Sequence, residues 1–164
     1  METKEKRLRK ALGSIPANTK LVIVDFDCDD LGSILASRGY SVGARTFFAW
    51  EAVTQYLTEQ GVQLTFAWLA LAAQGSHLAF TYVRKNFMTG KTLYGWESGY
   101  KRFVATKVWQ FGMEPEDCVT LLSGYGWRVI EDVGYDELTS RYIEPTGRGL
   151  ASTPVERMVY AEKI

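Results

Sequence analysis

Four scarcities in this 164-residue sequence narrow its reading. It has two cysteines, Cys28 and Cys118, without the paired spacing of a metal knuckle and too few for a disulfide framework. They read as two reduced thiols of a cytoplasmic protein. Its single histidine, His77, falls at the start of an apolar run read as a strand, away from the strand ends where ligands sit, and is not read as a base. No charge of either sign is in excess, since nineteen basic residues face nineteen acidic ones. An electrostatic nucleic-acid binder usually shows a basic surplus. Long hydrophobic runs are missing too. The densest, LTFAWLALAA from Leu64, falls short of the about 20 residues that a bilayer requires. METKEKRLRK at the start lacks the apolar core of a secretory signal.

What is present fits one globular domain over residues 1–164, with 46% apolar and 23% charged residues and no internal repeat. A basic, helix-prone stretch (3–13) ends at Gly13 and Pro16. Leu21 to Asp25 is a short β-branched run read as a buried strand. Asp27 or Asp29 is placed to cap a following helix whose inner face holds Leu31, Ile34 and Leu35, and Gly39 ends it. Thr46 to Val53 is read as a second strand. Thr58 caps a helix running to about Ala73, and Leu78 to Val83 is a third strand. The aromatic-rich segment 84–110 suggests a helical lid. Pro115 opens another helix. Trp127 to Val133 and Val155 to Ala161 form a final strand pair, with a short helix, DELTSRY, between them. Alternating strands and helices indicate an α/β class with a mostly parallel sheet and an antiparallel pair at its C-terminal edge. Ligands of such sheets sit at the carboxyl ends of strands, which puts Asp25, Glu51 and Tyr82 on one rim.

LVIVDFDCDD runs a buried strand into a row of carboxylates. One reading is simple helix capping by Asp27, Asp29 and Asp30. A second is a haloacid dehalogenase-type phosphatase, because DFDCD resembles a D-x-D motif whose first acid is a nucleophile and whose second is an acid/base beside Mg²⁺. Its later acidic pair would have to be Glu131 and Asp132, neighbours that a strand points to opposite faces. A third is an acid that accepts a hydrogen bond from an adenine, with Asp25 in that role and Phe26 packing on the ring.

FFAWEAVTQYLT (47–58), LAFTYV (78–83), GWRVIEDVGYDELTSRYIEPTGR (126–148) and VERMVYAE (155–162) favour the third reading. Together they resemble the class I S-adenosylmethionine-dependent methyltransferases related to leucine carboxyl methyltransferase, which include many bacterial O-methyltransferases. Ala52 stands where those proteins usually have glycine, and Thr81 where they usually have aspartate. The resemblance implies a Rossmann-like sheet and S-adenosylmethionine as cofactor, with no metal. It implies O-methyl transfer to a small-molecule acceptor. By the same resemblance Asp25 and Phe26 contact the adenine, and Glu51 lies beside the methionine part of the cofactor. Tyr56 and Tyr82 would approach the acceptor. Arg141 and Arg157 match family positions without an assigned role; for Arg157 the simpler reading is an edge-strand residue that aids solubility. Trp50 and Trp127 are read as core.

The family's opening strand, its glycine-rich loop and its ribose-binding acid have no counterpart in these 164 residues. In the family's sheet order, 3-2-1-4-5-7-6, the first two strands would lie between LVIVDF and FFAW. The expectation is a sheet lacking those strands, weak cofactor binding by this chain, and self-association through the exposed edge. A non-catalytic remnant serving as a binding or dimerising module is the alternative of a different class.

Overall fold

The aromatic and β-branched runs do form strands, and their order sets where a site can be. The computed structural model describes residues 2–164, of Glu2 the backbone alone. In chain order the elements are helices α1 (Glu2–Leu12) and α2 (Leu31–Ser37), strand β1 (Phe47–Trp50), α3 (Glu59–Leu69) and β2 (His77–Val83). Then follow α4 (Lys85–Met88), α5 (Glu97–Gly99), α6 (Pro115–Gly124), β3 (Trp127–Val133), α7 (Tyr135–Leu138) and β4 (Glu156–Lys163). The sheet order is β1-β2-β4-β3. β1 and β2 pair in parallel. β4 runs antiparallel to both of its neighbours, so β1, β2 and β3 point one way and β4 alone runs back. This is the 4-5-7-6 half of the order that the resemblance implies.

The local signals act as chemistry requires. The Thr58 hydroxyl accepts the Gly61 N–H at 3.0 Å and starts α3. Pro115 takes the first position of α6, where its missing N–H costs nothing. Gly39 and Gly75 sit at φ 91° and 75° after α2 and α3, a conformation that glycine adopts without strain. Period-two alternation sends Leu78, Phe80 and Tyr82 of β2 to one face. There α3 and α6 cover them, in a core with Trp50, Val62, Phe66, Leu122 and Trp127. The Phe66 ring meets Trp50 and Phe80 edge-on, each at 5.5 Å. On the other face Phe47 and His77 flank Tyr160, with His77 stacked on it at 5.4 Å and its Nδ1 2.9 Å from the Tyr160 hydroxyl.

A second cluster packs at the top of β2. Val83, Phe87, Trp109 and Val155 are buried there, with Trp96, Tyr100 and Phe103 against them. Phe103 stacks on Trp109 at 4.8 Å. The segment after β2 is therefore helical and packed, built from α4, α5 and a π-turn over Tyr100–Val104.

Three expectations are corrected. Leu21 to Asp25 is not a strand but extended chain outside the sheet. Its β-branched residues favour extended backbone, yet a strand also needs a ladder partner, and among the described residues none lies beside it. Asp30, rather than Asp27 or Asp29, caps α2, accepting from the Gly32 and Ser33 N–H groups. Arg157 is not an edge residue, because β4 is interior. Its Nε donates to Asp132 Oδ1 at 2.8 Å, with both side chains largely buried.

Candidate functional site

β1 ends at Trp50, and its continuation forms one wall of the site. Ala52 follows with φ 54°, in the left-handed region that disfavours a Cβ. The turn is held to β2 at two points. The Ala52 N–H donates to Thr81 Oγ1 at 2.8 Å, and the Thr54 hydroxyl donates to the Thr81 carbonyl at 2.7 Å. This fixes Glu51 as an exposed carboxylate at the carboxyl end of β1.

Thr54–Tyr56 then makes one turn of 3₁₀ helix. Gln55 points inward and is 2% exposed. Its Nε2 donates to Glu156 Oε1 at 3.3 Å, and its backbone carbonyl accepts the Gln110 N–H at 2.7 Å. Tyr56 remains exposed on the rim, edge-on to Trp109 at 6.2 Å. Burial, and then the nearby charge of Glu51, holds the Glu156 carboxyl above the usual carboxylate range.

The opposite wall is the acid turn. Here Asp25 folds the chain back on itself: its Oδ1 accepts the Asp27 N–H at 3.0 Å, and its carbonyl accepts the Asp29 N–H at 2.8 Å. Asp29 returns the bond, its Oδ2 accepting the Asp25 N–H at 2.8 Å. Asp27 anchors the turn to α3, with Oδ1 accepting the Thr58 hydroxyl at 2.6 Å and the Thr58 N–H at 3.2 Å. Gly61 makes room for that carboxylate, since a Cβ there would overlap Asp27 Oδ1. Phe26 lies against Trp50 with ring centroids 6.2 Å apart. The charges of Asp25, first, and of its acidic neighbours raise the exposed Cys28 thiol above its ordinary pKa.

Between the walls lies a groove of about 820 Å³. Its lining is mainly apolar, with Val22, Val24, Phe26 and Leu31 facing Phe48 and Trp50, and Glu51 contributes a carboxylate. That volume lies in the range of small-molecule sites.

The structure brings Phe26 and Glu51 to one groove and sets Asp25 in the turn beside it, while Tyr56 stands on the adjoining rim. Tyr82 is not with them. It is fully buried, and its hydroxyl donates to Asp132 Oδ2 at 2.8 Å on the α6 side of the sheet. Burial, and then that hydrogen bond, raises its pKa far above the ordinary phenol value. Cys118, in the same polar knot, is pushed up to about 12 by burial and then by Asp132. The D-x-D arrangement is not formed either, because Asp25 and Asp27 direct their carboxylates to different partners. Glu131 pairs with Arg141 on the surface, while Asp132 points inward to Arg157. Sequence reading missed Gln55 and Glu156. A polar residue inside FFAWEAVTQYL was the one available sign for Gln55.

Comparison with known proteins bears on this arrangement. The profile of the leucine carboxyl methyltransferase family matches residues 1–70. An S-adenosylmethionine-dependent methyltransferase from Mesorhizobium loti superposes with a TM-score of 0.57 at 15% identity, covering 99% of this chain and 77% of its own. The chain thus shares the fold of a class I S-adenosylmethionine-dependent methyltransferase, and its first 70 residues are similar to the leucine carboxyl methyltransferase family. Magnesium protoporphyrin IX methyltransferase from Synechocystis PCC 6803, solved with bound SAH, is similar at a TM-score of 0.44 and 14% identity over 72% of this chain. A methyltransferase from Methanosarcina mazei gives 0.44 and 11% over 72% of this chain. The chain spans 44% of the Synechocystis enzyme and 58% of the Methanosarcina one. No curated protein matches it.

Proposed function

We propose that the groove between the acid turn and β1 is the adenosine side of an S-adenosylmethionine site, and that the chain's chemistry is O-methyl transfer to a small molecule in the cytoplasm. The observation that carries this reading is the pairing of an apolar aromatic wall, Phe26 on Trp50, with a carboxylate, Glu51, at the carboxyl end of β1. Such a wall suits a flat heterocycle, and a carboxylate suits the hydroxyl or ammonium groups attached to it. Among the described residues no helix is long and apolar enough to cross a membrane.

When bound, the cofactor supplies an activated methyl on a positively charged sulfur. The protein's own part is alignment and the exclusion of water. Trp50 and Phe26 would hold one end of the ligand dry. Glu51, on the turn that Thr81 clamps, would meet it at the rim. The exposed face of Tyr56, backed by Trp109 and the packed segment 84–110, would border the acceptor. A carboxylate acceptor needs no base, whereas a hydroxyl or phenol does.

The residues present suit the adenosine half of the ligand. No glycine-rich loop exists among the 164 to cradle the amino-acid half, and one Asp25 oxygen is already engaged. Weak binding is therefore expected. Calorimetric titration of the folded chain with S-adenosylhomocysteine should give a dissociation constant weaker than about 100 µM, with binding abolished in Glu51→Ala and Phe26→Ala. Equal binding in both variants would remove these residues from the site. Absence of any binding would leave the second reading, a binding or dimerising module, which the free edge of β1 favours. Mg²⁺-dependent hydrolysis of an aryl phosphate, lost in Asp25→Asn, would replace both with the phosphatase.

A further inference from the structure

Charge is spread unevenly along this chain. Residues 84–110 hold six cations, Arg84, Lys85, Lys91, Lys101, Arg102 and Lys107, and one acid, Glu97, although the chain as a whole is neutral. Among the described residues none of the six is in an ion pair. The segment set beside the acceptor is therefore strongly positive in a neutral molecule.

Two of these cations line one cavity. Lys85 and Lys107 stand on the wall of a pocket of about 480 Å³, whose apolar lining is Met88, Val104, Trp109 and Phe111. That volume lies in the range of small-molecule sites. Glu59, the one acid on this wall, pairs with neither lysine. Trp109 is 6% exposed, and its indole N–H is a buried donor without an acceptor. Folded proteins leave few such groups unanswered. Lys107 itself holds φ 58°, in the left-handed region that glycine occupies without strain. Its N–H donates to the Val104 carbonyl at 2.9 Å, and the Trp109 N–H donates to the Phe103 carbonyl at 2.9 Å, so one fixed turn carries both residues. Strain of this kind gathers at ligand clamps and active sites. Gln110 joins the pocket to the rim. It lines the pocket, and its Nε2 donates to the Tyr56 carbonyl at 3.3 Å.

Two ammonium groups over an apolar lining suit a negative charge carried on an apolar body. Lysine meets carboxylate and phosphate oxygens alike, as a point charge. An ion pair with the reacting oxygen would stabilise the ground state and be lost as the ester forms, so it would not speed methylation. The group held here is an anchor and not the methylated atom.

We propose that the pocket of Lys85, Lys107 and Trp109 binds an anionic group of the acceptor, a carboxylate or phosphate on an aromatic or aliphatic body. The inference rests on the methyltransferase reading only in calling that ligand an acceptor.

The test titrates the full ¹⁵N-labelled chain with phenyl phosphate and with benzoate and follows the Trp109 indole resonance. It should move saturably with at least one anion. Benzyl alcohol, similar in shape but uncharged, should bind about tenfold more weakly or not at all. Lys107→Gly removes the cation and relieves its backbone, so anion binding should fall by about tenfold or more while the melting temperature rises. Lys85→Met should weaken binding as well. Lys101→Gln, which removes a charge of the same segment outside the pocket, should change it by less than about twofold. A response to phenyl phosphate alone names phosphate as the anchor, and a response to benzoate alone names a carboxylate. Equal binding of benzyl alcohol would reduce the pocket to an apolar hollow and overturn the proposal. Equal weakening by Lys101→Gln would overturn it in favour of diffuse charge, and the absence of a saturable response would overturn it outright.

S-adenosylhomocysteine carries a carboxylate of its own. If it cancels the anion shift, the pocket belongs to the cofactor and the acceptor assignment falls; if it binds and leaves the shift intact, the assignment stands. Because the anion titration needs no cofactor, the two readings fail separately. Anion binding by a chain that does not bind S-adenosylhomocysteine would support the pocket alone. Cofactor binding without an anion response would sink the pocket and spare the methyltransferase reading.

Discussion

The two edges of the sheet are built differently. β3 is a guarded edge. A bulge interrupts its register between Val129 and Glu131, and Arg128 and Glu131 carry ion pairs along it. These are the devices that stop strands from pairing with other molecules. β1 has none of them. Its four residues, Phe-Phe-Ala-Trp, are apolar and regular, and Phe47 is 60% exposed. An edge that is neither charged nor bulged is a surface suited to being covered. That contrast underlies the proposal that β1 engages a second molecule, with self-association as the default outcome.

Three substitutions would break or sharpen the comparison. The largest effect belongs to the guarded side. Arg157→Ala leaves Asp132 buried without its cation and should cost about 3 kcal/mol, read as a lower urea midpoint at an unchanged slope. A loss below about 1 kcal/mol would mean that β4 is not tied to β3 in this way. On the open side, Ala52→Gly relieves the left-handed backbone at the end of β1 and should stabilise the chain by about 1 kcal/mol, seen as a higher melting temperature. Destabilisation would show that the turn does not hold φ 54° in solution. The smallest effect on stability belongs to Phe47→Lys, which should change it by less than about 0.5 kcal/mol because the side chain is mostly solvated. The same variant should abolish any concentration-dependent self-association in light scattering. An unchanged association would move the contact away from β1.

The Ala52 result also measures how legible the sequence was. The departure from glycine was visible beforehand, but the positive φ that explains it was not. The helices and all four strands could be read because their periodicity and caps are local. Thr58, Pro115 and Gly39 are cases where a single residue's chemistry decides the outcome. Leu21 to Asp25 misled because four apolar β-branched and leucine residues look the same whether or not a neighbouring strand exists. Tyr82 could have been read correctly. Alternation places it with Leu78 and Phe80, and Phe80 is core, so its burial follows from the pattern that defined the strand. Gln55 and Glu156 could not have been paired, since 101 positions separate them and only the antiparallel return of β4 brings them together. Arg157 was misjudged for the same reason, because strand order within a sheet is a long-range property.

The reversed strand β4 also has a consequence for how the chain is made. Among the described residues β3 pairs only with β4, and β4 follows it in the chain. From the moment Val133 leaves the ribosome until Lys163 follows it, Trp127 and its strand must wait without their ladder partner. Translation proceeds at about 5–20 residues per second, so that wait lasts seconds, long compared with the microseconds in which a hairpin forms. The nascent chain thus passes through a stage in which both edges are open, and the guarded edge becomes guarded only when β4 slides between its neighbours.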